Sequence, residues 1–123
     1  MTDDFSVFWR NNERASALFY GLLARAEQDA YDDDFLMQLA AYREAGGDAA
    51  HADIFAAQYL LANGDAENAA VCAERAYRKR PLNPAVWNVL ASADEQCGDG
   101  LSAAIFRIYL HRFTHTPLPA SLP

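Results

Sequence analysis

Lysine is almost missing from this sequence: Lys79 is the only one, and seventeen Asp and Glu against ten Lys and Arg leave a formal charge of -7. A field of that sign repels phosphate backbones and anionic membrane surfaces, so neither nucleic acid nor membrane is an expected partner. Cysteine is scarce too. Cys72 and Cys97 have no CxxC spacing, which signals neither a disulfide framework nor a zinc knuckle. No apolar run approaches the roughly 18 residues of a membrane span, and the opening "MTDDFSVFWRNNE" lacks the basic head and apolar stretch of a secretory signal. A cytoplasmic location is the expectation. GxSxG, P-loop and GxGxxG patterns are absent, and no isolated pair of carboxylates faces one apolar pocket, so no catalysis and no cofactor are expected.

Alanine is abundant and β-branched residues are few, a balance that favours helix. Apolar residues at 15, 18, 19, 22, 23 and 26 follow the helical period. The "DDD" run at 32–34 then caps "FLMQLAAYREA", which ends at Gly46-Gly47. That run lacks the bend glycine and the closing glutamate of a calcium loop. From Ala50 the pattern returns: "HADIFAAQYLLAN", a stop at Gly64-Asp65, then "AENAAVCAERAYRK" ended by Pro81. It returns again as "PAVWNVLASADEQC", with Pro84 in the first turn, a break at Gly98-Asp99-Gly100, and "LSAAIFRIYLHRF". Asp34, Asp65 and Ser102 or Asp99 are the expected caps.

Laid on itself at an offset of 34 residues, the chain divides into units 16–49, 50–83 and 84–117. Fourth positions are Phe19, Asp53 and Trp87, and the seventh and eighth are Leu22-Leu23, Ala56-Ala57 and Leu90-Ala91. The turn falls at Ala30-Tyr31, Gly64-Asp65 and Gly98-Asp99, with Phe35, Ala69 and Ala103 following it. Residues 1–15, with Phe5, Phe8 and Trp9, form a cap or dock on a flank. Residues 118–123 are a Pro-rich tail or linker.

On Ala57, Leu60, Gly64, Asp65, Ala69, Ala73, Ala76 and Pro81 in the middle unit, and Trp87, Leu90, Ala91, Gly98, Asp99 and Ala103 in the last, the chain resembles a tetratricopeptide-repeat protein of about three repeats. Asp53, Asp94, Arg107, Phe35 and Tyr42 depart from that pattern, so the first unit is either a true repeat or a hairpin with altered crossing angles. The resemblance implies an all-α fold, a short right-handed α-solenoid of stacked antiparallel hairpins. It also implies a non-catalytic interaction module whose concave groove is lined by the first helix of each unit. Its candidate residues are Tyr20, Ala24 and Glu27; His51, Ile54, Gln58 and Leu61; and Ala85, Asn88, Ser92 and Glu95.

That surface is amide-rich and neutral to acidic, and suits a neutral or basic peptide or protein with apolar anchors. With no Lys or Arg among these positions, a clamp for a peptide carboxylate is not expected. Self-assembly into a homo-oligomer, or an adaptor role in a larger, glycosyltransferase-like chain, is the alternative. A further one is a small acidic chaperone like the type III secretion chaperones of the translocator class. The basic stretch "ERAYRKR" at 74–80 reads as a solvated helix end complementing the helix dipole. His111 and His115 would share one helix face but lack a third ligand, so no metal is expected.

Overall fold

The computed structural model describes the backbone of residues 4–114 and the side chains of residues 12–114. Six helices follow one another: α1 Asp4–Glu27, α2 Asp33–Glu44, α3 Ala49–Ala62, α4 Ala66–Lys79, α5 Pro84–Gln96 and α6 Gly100–Thr114. Among the described residues there is no strand, and no helix is long and apolar enough to cross a membrane. The division at 15/16 falls inside α1, which runs through it unbroken. The side chains of Phe5, Phe8 and Trp9, the tail 118–123 and His115 lie outside the described residues.

Short side chains at the helix starts fix where each element begins. The carboxylates of Asp32, Asp48, Asp65 and Asp99 accept from the backbone N–H three residues on, and the Asn83 amide oxygen accepts from Ala85 N–H. Each takes up one of the donors that the first helical turn leaves without a partner. The cap of α2 is therefore Asp32 instead of Asp34, and that of α6 is Asp99 instead of Ser102, because only those residues stand outside the helix.

Helix ends are closed by a recurring device. Asp65 N–H donates to Leu60 C=O and Asp99 N–H to Asp94 C=O, both at 2.8 Å, across glycines at φ 81° and 83°. The end of α1 uses the same 2.8 Å bond, Ala30 N–H to Arg25 C=O, but its left-handed residue is Asp29 at φ 53°. Aspartate tolerates that conformation better than most side chains. The α1–α2 link, 28–32, is longer than the links 63–65 and 97–99. The turn thus falls earlier than the Ala30-Tyr31 expected, and the fully buried pair Leu22 and Phe35 is one residue farther apart than its counterpart Ala57 and Ala69. One residue is about 100° around a helix, so the fixed offset of 34 misassigns the faces of α1.

Each helix packs on its neighbours in the chain, α3 also touches α1 and α5, and Tyr77 of α4 meets the edge of Phe106 of α6 at 5.7 Å. Paired helices run antiparallel: Arg25 at the end of α1 meets Asp34 at the start of α2, Asp53 early in α3 meets Lys79 closing α4, and Trp87 early in α5 meets Phe113 late in α6. Two clusters make the core. The first is aromatic, with Phe35, Tyr42 and Phe55 joined to Leu22 and Leu39; the second is built largely of Ala57, Ala69, Ala73, Ala76, Val86, Val89 and Leu90.

Trp87 ties the last hairpin together. It is 3% exposed, donates from Nε1 to Pro81 C=O at 2.8 Å, and lies 5.7 and 5.4 Å from the rings of Tyr109 and Phe113. Trp87→Ala opens a cavity and removes the donor to the Pro81 carbonyl; the expected loss is about 3–5 kcal/mol in urea denaturation. Trp87→Phe should recover most of it.

Candidate interaction site

The candidate groove residues do not form one continuous surface. Tyr20, 67% exposed, and half-buried His51 face one cleft, while Glu27 is exposed at the far end of α1. Ile54 is 6% exposed and belongs to the alanine-rich core, with Leu61 half-buried against the same cluster. Gln58, also half-buried, has its Oε1 enclosed without a partner among the described residues. Asn88, Ser92 and Glu95 gather around one side chain, Arg107 of α6.

Ile54 is the clearest correction: its place in the core takes it out of any groove. Ile54 and Leu61 point toward α4 and α5, which cover them. On α1 the extra residue before α2 rotates Tyr20, Ala24 and Glu27 outward, and Phe19 and Leu22 take the inward positions.

Arg107 also overturns the expectation of a cation-free surface. Its Nε donates to Glu95 at 3.0 Å, and its other nitrogens donate to Asn88 Oδ1 at 2.9 Å, Ser92 Oγ at 3.2 Å and Glu95 at 3.3 Å. The guanidinium is satisfied by its own chain, so it does not supply a carboxylate clamp. Its charge at a position where the repeat pattern has an aromatic or small residue was the sequence signal.

The cleft at Tyr20 and His51 has a volume of about 280 Å³, with Ser16, Phe19, Tyr42 and the Gly46-Gly47-Asp48 turn among its walls. Phe19 is its centre: its ring lies 5.4 Å from Tyr20 in an edge-on contact and 5.1 Å from His51. Below it, Tyr42 is 3% exposed, and its hydroxyl oxygen accepts from Asp48 N–H at 2.9 Å. Burial, with the charge of Asp48, raises the Tyr42 phenol above its ordinary value despite the hydrogen bond from Asp48 N–H. A side chain on Gly47 would overlap the Tyr42 ring, and Gly46 stands at φ 81°, so each glycine of the turn has its own reason.

Asp48 holds the turn on α3. Its carboxylate accepts from His51 N–H at 3.0 Å and pairs with Arg80 at 2.6 Å. Burial alone would raise its pKa, but the His51 and Ala50 N–H groups and the charges of His51 and Arg80 bring it below the ordinary carboxylate value. Asp53, 6% exposed, is paired with Lys79 at 2.7 Å and Arg75 at 3.7 Å. The basic stretch 74–80 is therefore not simply solvated. Three of its cations fasten α4 and the following turn to α3.

A second cleft of about 400 Å³ carries Glu74, Asp94 and Asp99. Burial first, then the charges of Asp99 and Glu74, raise Asp94 against a hydrogen bond from Ser102. No group of His, Cys, Asp and Glu among the described residues has the arrangement to hold a metal ion, and Cys72 and Cys97 are free thiols.

Neither a scan against protein-family models nor searches of curated proteins and of solved structures find a match to this chain.

Two substitutions check the geometry. Gly47→Ala should cost about 1–3 kcal/mol in urea denaturation by driving the turn off Tyr42. Because Asp48 titrates below its unfolded value, its contribution is present above about pH 4 and is lost as pH falls through the folded value. Asp48→Asn keeps the cap and removes the ion pair. Its melting temperature should converge on that of the native chain as pH falls through the folded value of Asp48, and fall below it at neutral pH by the equivalent of about 0.5–1 kcal/mol, the pair being partly solvated.

Proposed function

We propose that this chain is a tetratricopeptide-like stack of helix hairpins that acts as a non-catalytic interaction module. Its docking point is the cleft between α1 and the α2–α3 turn, and not a groove running the length of α1, α3 and α5. The solenoid reading is supported by helices packed in chain order, by contacts of α3 with both α1 and α5, and by the recurring glycine turn. The observation that carries the docking point is the exposed Tyr20 ring beside Phe19 and His51, at an open, partly polar cleft of side-chain size. Such a site takes one or two anchoring side chains of a partner. The charge of -7 favours a neutral or basic protein or peptide over an acidic one.

Self-assembly is the second reading, favoured by the outer face of α6. Leu101 is 74% exposed, Ile105 43% and Ile108 42%, whereas the matching positions on α4 are Glu67, Val71 and Glu74.

Affinity capture from native lysate by the full chain and by Tyr20→Ala/His51→Ala, read by mass spectrometry, tests the docking point. A partner should be held by the native chain and lost by the variant at unchanged helical circular dichroism. The same proteins captured by both, or none by the native chain, removes the cleft as the docking point. A solution mass above the monomer, abolished by Ile105→Glu, would favour self-assembly.

A further inference from the structure

The gaps between successive second helices repeat in place but not in chemistry. α2 and α4 align at an offset of 34 residues, since the buried Phe35, Leu39 and Tyr42 of α2 answer to the buried Ala69, Ala73 and Ala76 of α4. Each gap holds a cleft over the helix between: about 380 Å³ where α2 and α4 flank α3, and about 400 Å³ where α4 and α6 flank α5. Thirty-four residues turn Ala40, Arg43, Leu60 and Cys72 of the first cleft into Glu74, Tyr77, Asp94 and Phe106 of the second. In the second, the Tyr77 and Phe106 rings meet edge-on at 5.7 Å across the gap, and Glu74, Asp94 and Asp99 outnumber Arg78 on the walls. In the first, no carboxylate lines the walls. Its charged residues are Arg43 and Arg75, set among Leu36, Leu39, Tyr59 and Leu60. Arg75 donates to Cys72 Sγ at 3.2 Å, which places its guanidinium at the cleft, and stands 3.7 Å from Asp53. Arg43 is exposed and enters no ion pair among the described residues.

We infer that the α2–α4 cleft binds a small amphipathic organic anion, a carboxylate or sulfonate carried on an apolar body, and that the α4–α6 cleft refuses it. The volume is in the range of small-molecule sites, and the leucines and the Tyr59 ring offer the apolar surface such a body needs. Guanidinium groups supply forked donors that match the oxygens of the head group. Glu74 and Asp94 stand in the second cleft where Ala40 and Leu60 stand in the first, and they repel the same head group. The overall charge of -7 bears on the size of the occupant. Fields of exposed charges fade over about 8–10 Å in salt, so a small solute between the two arginines is governed by them. An acidic protein or an anionic membrane would instead meet the rest of the acidic surface. This cleft shares no wall residue with the one at Tyr20 and His51, so the inference stands apart from the docking point proposed above.

Fluorescence titration of the full chain tests it with two probes of the same apolar body, the anion anilinonaphthalene sulfonate and the uncharged phenylnaphthylamine. The native chain should bind the sulfonate saturably. Ala40→Glu puts into the first cleft the carboxylate that the second carries, and should weaken the sulfonate by about tenfold or more. Arg43→Gln should weaken it by about threefold or more, as loss of a partly solvated charge contact does, and change phenylnaphthylamine by less than about twofold. Both positions are exposed, so helical circular dichroism should be unchanged in each variant. No saturable sulfonate binding by the native chain, or equal sulfonate affinity in the native chain and both variants, overturns the inference. An Arg43→Gln chain that loses both probes alike also overturns it, because the cleft would then select apolar surface without regard to charge. Should Ala40→Glu lose its helicity, the two probes on Arg43→Gln decide by the same outcomes.

Discussion

Close approach of helices at alanine is the constraint on which the rest of this structure depends. Ala57, Ala69, Ala73, Ala76, Ala91 and Ala93 are wholly enclosed, and between them they line the contacts of α3, α4 and α5. A methyl side chain contributes little apolar area, so each crossing is held by backbone proximity and by Val86, Val89 and Leu90 filling the space around it. The first hairpin solves the same problem with Phe35 and Tyr42 where the second has Ala69 and Ala76, and so builds an aromatic core. That difference sets the position of Phe19 and hence the cleft above it.

Five of the chain's ten Lys and Arg are used as fasteners between neighbouring helices. Arg25 joins α1 to α2, Arg75 and Lys79 join α4 to α3, Arg80 joins the next turn to α3, and Arg107 joins α6 to α5. Most of these pairs are partly solvated and each contributes modestly to stability. Their main effect is on orientation, since each links an element to a particular neighbour at a particular depth. With seventeen Asp and Glu against ten Lys and Arg, the net charge presented to other molecules is acidic.

Much of the fold could be read from the chain because local signals and packing agree. Gly64-Asp65 and Gly98-Asp99 stop the helices where they stand in sequence, and Pro84 opens α5 as its missing N–H allows. The first unit misled because Asp29 does the work of a glycine there, and the extra residue that follows changes the face of α1 without disturbing its helical pattern. The site was less legible for a different reason. A helical face can be assigned from spacing, but whether a neighbour covers it depends on tertiary contacts. Ile54 and Asn88 hold the same place in their hairpins, yet one is core and the other is in water. Arg107 was visible as an oddity, but that its partners were the candidate residues themselves required the distance across two helices.

The amine of Lys79 has a further consequence for handling the molecule. It is the sole lysine side chain, and it is the near partner of a carboxylate that is otherwise enclosed. Acylating reagents, amine-reactive dyes and lysine-directed cross-linkers that react there would erase the charge facing Asp53, leaving it to the more distant Arg75. A tag attached at that amine therefore reports on a chain whose α3–α4 contact it has already altered. The exposed thiol of Cys97 offers a handle that leaves this pair alone.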